Sequence, residues 1–231
     1  MTVLPDKYNL KTEIVSIPYS HLLTEEQALQ ISRNINTVKY RKRDVIFRQN
    51  TRTSHVMFVK SGLVKIYKEG RNDRSVILKV ATASDFIGLM SVFGEKLHQY
   101  SSAAITDVEV CDMDILLFKS ILQENPKYQL QLLNLLSVNG LFIFDRLLGL
   151  SHKQLPGRIA DVILYFSDEI YHSEQFTFPF TRKELAEFAG TTKESFIRTL
   201  TEFKNDKIID IDGSGIHIKS MDIIRTLSQL G

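Results

Sequence analysis

The segment that most constrains this chain is TRKELAEFAGTTKESFIRTLTEFKNDKIIDIDGSGIHI, residues 181–218. Thr181 and Glu184 form a Thr-x-x-Glu capping pattern, in which hydroxyl and carboxylate each satisfy a backbone N–H left open by the first helical turn. It opens a short helix with Leu185, Phe188 and Ala189 turned inward. Gly190 breaks that helix, as a tight turn between two helices requires. Thr192 can cap a second helix, in which Phe196, Leu200 and Phe203 recur at spacings of four and three as a buried stripe. Its other face presents Lys193, Glu194, Arg198 and, nearby, Thr201. Ile208 to Ile211 and Ile216 to Ile218 flank the turn Asp212-Gly213-Ser214-Gly215, which reads as a hairpin. Together these elements predict a winged helix-turn-helix.

Such a unit suits double-stranded DNA. The N-terminal part of the second helix enters the major groove. Arginine bonds bidentately to guanine O6 and N7, and glutamate accepts from cytosine N4. Glu194 and Arg198, four residues apart, share a helical face and can read adjacent base pairs. Thr191, Thr192, Lys193 and the helix N-terminus suit phosphates, which position a protein without reading sequence. Blander roles compete: Glu194 before Arg198 is also the favourable order for an exposed salt pair, and Glu194 can instead complete a capping box with Thr191.

Upstream, residues 38 to 118 read as short strands: HVMFVKSGLVKIY (55–67), SVILKVA (75–81) and AAITDVEVCDMD (103–114), punctuated by Gly62 and by Gly70-Arg71-Asn72-Asp73. Close-spaced strands predict an antiparallel roll or barrel. A helix from Thr24 to Ile35 precedes them. Asn125-Pro126, an N-cap followed by a proline suited to the first turn, then starts a helix reaching about Gly149. Its heptad positions Leu133, Leu136, Gly140, Ile143, Leu147 and Leu150 predict a homodimer seam, while its other leucines and phenylalanines widen the apolar face toward the strand domain. A further helix starts at Pro156-Gly157-Arg158, and FTFPF (176–180) reads as a short strand. The fold class is therefore α+β, in three parts: residues 1–124, a dimerisation helix at 125–150, and 151–231.

Composition narrows the function classes. With 43% hydrophobic and 24% charged residues, the chain reads as an ordinary globular protein. The net charge of +2 leaves room for a local basic face without making the whole chain basic. One cysteine, Cys111, rules out a disulfide framework and any cluster held by several thiolates of one chain. The six histidines are scattered, so no metal and no cofactor are expected. Met1 to Leu10 does not resemble a signal peptide, and no apolar stretch approaches bilayer length, so the expectation is a cytoplasmic protein without membrane contact. No nucleophile–base pattern, metal motif or phosphate-cradling glycine loop points to an enzyme.

In order and in motif, the chain resembles the Crp/Fnr family of transcription regulators. FVKSGLVKIY and DFIG, then the long helix, LPGRIADVIL and TRKELAEFAGTTKESFIRTL carry the resemblance over almost the whole length. It implies a cyclic-nucleotide-binding-like β-roll joined to a winged helix-turn-helix, a homodimer at an inverted-repeat operator, and RNA polymerase as a partner. It places the DNA-reading positions on Lys193, Glu194 and Arg198. The effector cassette departs from the cyclic-AMP pattern: Gly88-Leu89 stands where a Gly-Glu pair would hold the ribose. His98-Gln99-Tyr100-Ser101 stands where Arg-Ser would hold the phosphate, and Ile143 and Phe144 where small hydroxyls would face the base. Losing the arginine removes the charge-assisted partner of a phosphodiester. The expectation is an unknown effector other than a cyclic nucleotide, with Gly88, Leu89, His98, Gln99, Ile143 and Phe144 as the candidate pocket. The alternative is a small-molecule sensor with an apolar ligand site in the roll.

Overall fold

A computed structural model of the chain describes residues 17–70, 75–94 and 97–231. Of the turn read at Gly70 to Asp73 only Gly70 is described, and Met1 to Leu10 lie outside the described residues. The chain divides into two compact units, one of residues 1–69 and 79–140, the other of residues 70–78 and 141–231.

The first unit opens with helix α1 (Glu25–Arg33), held by a complete capping box between Thr24 and Gln27. Among the described residues eight strands follow: β1 (Ile35–Tyr40), β2 (Val45–Phe47), β3 (His55–Ser61), β4 (Val64–Glu69), β5 (Ser75–Ala81, whose first four residues group with the second unit), β6 (Phe86–Ile87), β7 (Ser101–Ala104) and β8 (Val108–Asp114), with the short helix α2 (Leu89–Phe93) after β6. They form two four-stranded sheets, ordered β1-β8-β3-β6 and β2-β7-β4-β5; β8 pairs antiparallel with β1 and β3, β6 with β3, and β7 with β2 and β4. Alternation along the strands divides the core in two. Val59 and Val110 join Phe47, Val64, Ile87 and Ala104 in one cluster. Val56, Phe58, Cys111 and Met113, on the opposite face, pack with Ile31, Phe118, Ile121 and Tyr128 of the helices. Cys111 is thus a small apolar core residue.

The strand pattern ends at Asp114, four residues before the sequence reading had it. Asp114 accepts the backbone N–H groups of Leu116 and Leu117 at 2.7 and 3.1 Å, an N-cap that turns the next residues into helix α3 (Ile115–Glu124). Helix α4 (Pro126–His152) then runs past Gly149 and crosses the division between the units. One expectation needs correction here. Among the described residues α4 is long and apolar enough to cross a membrane, with a mean hydropathy of 1.3 over its best window. The apolar residues are interrupted by Asn134, Ser137, Asn139 and the pair Asp145-Arg146, so no unbroken run marks it in the sequence.

The second unit contains α5 (Leu155–Leu164), a π-helical turn (Tyr165–Tyr171), β9 (Gln175–Thr177), α6 (Arg182–Phe188), α7 (Lys193–Asn205), the hairpin β10 (Ile209–Asp212) and β11 (Gly215–Ile218), and α8 (Met221–Leu230). Its sheet runs β10-β11-β9. The core centres on Phe166, whose ring meets those of Phe178, Phe180 and Phe188 with centroids 5.4, 5.6 and 6.0 Å away. FTFPF therefore serves mainly as an aromatic wall, with only Phe176 and Thr177 in strand.

Candidate nucleic-acid interface

The second unit assembles a reading head from local rules. Thr181 accepts the Glu184 N–H at 3.3 Å while Glu184 accepts the Thr181 N–H at 2.9 Å, which fixes the start of α6. At the turn, Gly190 has φ +62°, and a side-chain Cβ there would lie 2.6 Å from Leu150 Cδ2. Both conformation and space call for glycine. Arg158 donates to the Gly190 carbonyl at 2.8 Å, pinning the turn to α5.

Thr192 caps α7 by accepting the Ser195 N–H at 3.2 Å. Glu194 therefore takes no part in a capping box with Thr191, whose N–H instead donates to the Ala186 carbonyl at 2.9 Å. Phe196, Thr199, Leu200 and Phe203 are buried, and Lys193, Glu194, Ile197, Arg198 and Thr201 are exposed. Among the described residues no salt bridge joins Glu194 to Arg198.

The sequence reading missed two arginines that hold this head in place. Arg182 donates to the Gly213 carbonyl at 2.6 Å, and its guanidinium lies 6.0 Å from the Phe178 ring, tying the hairpin tip to the start of α6. Burial lowers its pKa from the usual arginine value. Arg146 donates to the carbonyls of Phe188 at 2.7 Å and Ile77 at 3.3 Å and sits 4.0 Å over the Phe188 ring. Its pKa too is lowered by burial, with Tyr165 and Asp161 opposing the shift. An arginine bound to backbone carbonyls leaves no pattern along the chain, so Arg158 alone, in the LPGRIA motif, stood out by position.

The candidate effector residues fall into two groups. Gly88 and His98 come together in the first unit: Gly88 has φ +78°, and a Cβ on it would lie 3.1 Å from His98 Cε1. The His98 ring stacks on Phe47 with centroids 4.0 Å apart, and its Nδ1 is buried with no hydrogen-bond partner. Desolvation lowers the His98 pKa. Beside it, burial pushes the Tyr100 phenol up to about 12, against the opposing effect of a hydrogen bond with the Gly88 backbone. Leu89 turns into the core with Phe58 and Phe118, while Gln99 is exposed. Ile143 is half-buried and Phe144 is 67% exposed, and both belong to the second unit. Among the described residues no group of three or more His, Cys, Asp or Glu side chains could hold a metal ion.

Comparison with known proteins agrees with this architecture. Residues 37–125 match the cyclic nucleotide-binding domain family, and residues 157–227 match the Crp-like helix-turn-helix domain family. The chain belongs to the Crp/Fnr family of DNA-binding transcription regulators. It is 23% identical to a CRP-like cAMP-activated global transcriptional regulator of Mycobacterium tuberculosis (strain CDC 1551 / Oshkosh), over 83% of this chain and 88% of that one. It is 24% identical to the transcriptional activator protein Anr of Pseudomonas protegens, over 77% of this chain and 74% of that one. In fold it is similar to FixK2 from Bradyrhizobium japonicum, with a TM-score of 0.77 at 20% identity, covering 84% of this chain and 96% of FixK2.

Proposed function

We propose that this Crp/Fnr regulator works in the cytoplasm as a homodimer on an inverted-repeat operator, acting on RNA polymerase and catalysing no reaction. Residues 1–124 form the effector-type domain, 125–150 the dimerisation helix and 151–231 the DNA-binding domain. Arg198 reads a guanine, Glu194 a neighbouring cytosine, and Thr191, Thr192 and Lys193 hold phosphates. The observation that carries this reading is the outward face of α7, where Glu194 and Arg198 are exposed and not paired with each other. Arg198→Ala is expected to cost about 1–3 kcal/mol per half-site and to relax preference at one G·C pair. Lys193→Ala is expected to weaken all sequences alike and flatten the salt dependence by roughly one unit of slope. Binding titrations on an operator and its G·C-substituted version test both; unchanged affinity and selectivity in Arg198→Ala overturn the assignment.

The effector reading goes with it: the β-roll takes neither cyclic AMP nor cyclic GMP. Leu89 is packed in the core and offers no acceptor for a ribose hydroxyl. Neither His98 nor Gln99 supplies the guanidinium that grips a phosphodiester, and the His98 ring fills the space beside Gly88. Calorimetry with either nucleotide is expected to show no heat of binding, and a micromolar dissociation constant refutes the reading.

A further inference from the structure

The outward face of α7 carries one residue that charge and hydrogen bonding leave unexplained. Ile197 is 41% exposed, on a face otherwise made of Lys193, Glu194, Arg198 and Thr201. It lies about 60° from Glu194 around the helix and one residue before Arg198, so it points toward the same partner. Thr201 extends the apolar character: its hydroxyl donates to the Ile197 carbonyl at 2.9 Å and is thereby occupied. Isoleucine is also a mediocre helix former, so local propensity gives no reason for it at an exposed helix position. Phe196, Thr199, Leu200 and Phe203 make up the buried stripe, and Ile197 stands outside it.

We infer that Ile197 is a specificity-determining residue that packs on the 5-methyl group of a thymine, next to the base pair read by Arg198. In the major groove that methyl is the one apolar feature by which a T·A pair differs from the others, and apolar side chains read it by contact. The inference rests on α7 being the DNA-reading helix, but concerns a different base and a different kind of contact from those of Arg198.

Deoxyuridine in place of thymine removes the methyl and leaves every hydrogen-bonding group unchanged, which isolates the contact. The test uses the full-length protein and an operator recovered by selection from a random-sequence pool, with each thymine replaced in turn. For the unmodified protein, one position per half-site is expected to lose about fourfold in affinity, the scale of one buried methyl-sized group. Ile197→Ala is expected to bind thymine and deoxyuridine operators equally at that position, and Ile197→Val to retain most of the discrimination. The inference is overturned if no thymine is methyl-sensitive, or if the sensitivity persists in Ile197→Ala. Arg198→Ala separates the two readings. If it loses guanine preference while Ile197→Ala changes nothing, the reading head stands and the thymine contact falls; if Arg198→Ala also changes nothing, the reading head itself falls.

Discussion

His98 shows what a single residue can and cannot disclose from sequence. Its position a short way beyond DFIG was legible, to within one residue, from the family resemblance. Its burial against Phe47, 51 positions away, was not, because that contact is made only when β2 and the cassette are brought together. The buried ring carries a pH dependence whose sign follows from its environment. Desolvation holds its folded-state pKa below the ordinary histidine value, so between those two values the unfolded chain binds more protons than the folded one. Stability from this site is therefore full above about pH 6.5, falls as the pH drops toward the lowered value, and is flat below it. Urea midpoints measured from pH 8 to pH 5 are expected to fall more steeply for the unmodified protein than for His98→Gln. Parallel curves would show that the ring does not stay neutral in the fold. Arg198 and Glu194 needed no tertiary information to be placed, since helical period alone puts them opposite Phe196, Leu200 and Phe203.

At the scale of elements, caps were the most legible signals and the phase of the long helix the least. Thr24, Thr181, Thr192 and Asn125 each hold the helix start that the sequence assigned to them. Asn125 does more than cap: its Oδ1 accepts the Tyr128 N–H at 3.0 Å, while its Nδ2 donates to the Leu22 carbonyl at 2.8 Å and to Gln27 Oε1 at 2.9 Å. Gln27 is itself the capping-box partner of Thr24, so one buried amide joins the starts of α1 and α4. Asn125→Ala removes the cap and strands buried partners, a loss of about 2–4 kcal/mol from the two effects combined. Asn125→Asp keeps the acceptor but turns a carboxylate on Gln27 Oε1, and at neutral pH it is expected to destabilise too. Denaturant unfolding checks both, through a lowered midpoint at unchanged slope. The phase of α4 was harder to read, since leucines lie on nearly every side. Leu136, placed at the seam by the heptad count, packs with the roll core instead, whereas Leu130, Leu133, Leu141, Phe144, Leu147 and Leu148 stay exposed. The outward stripe is therefore rotated by about one residue from the one counted along the sequence.

At the scale of the whole molecule, that stripe bears on the proposed assembly. Six large apolar side chains of α4 are each about three-fifths exposed, and exposed apolar surface of this kind marks a place for a partner. A bilayer is a poor partner for it: Asp145 lies on the helix beside Phe144, and the Arg146 guanidinium is committed to the Phe188 carbonyl. A second copy of the same helix suits it better, because a two-fold axis pairs each stripe with itself and Gly140 has nothing within 4 Å of a would-be Cβ, leaving room for close approach. Leu133→Lys with Phe144→Glu is then expected to sediment near the 26.5 kDa of one chain, while the unmodified protein runs at twice that mass. Leu136→Lys is the informative contrast: a residue packed in the roll core should lower thermal stability before it changes the assembly. The DNA consequence follows from symmetry. Two recognition helices about 34 Å apart bind successive major grooves, so the monomeric variant should bind an inverted repeat no better than a single half-site, with its guanine preference intact. A double variant that stays dimeric, or that keeps full affinity for the inverted repeat as a monomer, would place the interface elsewhere on the chain.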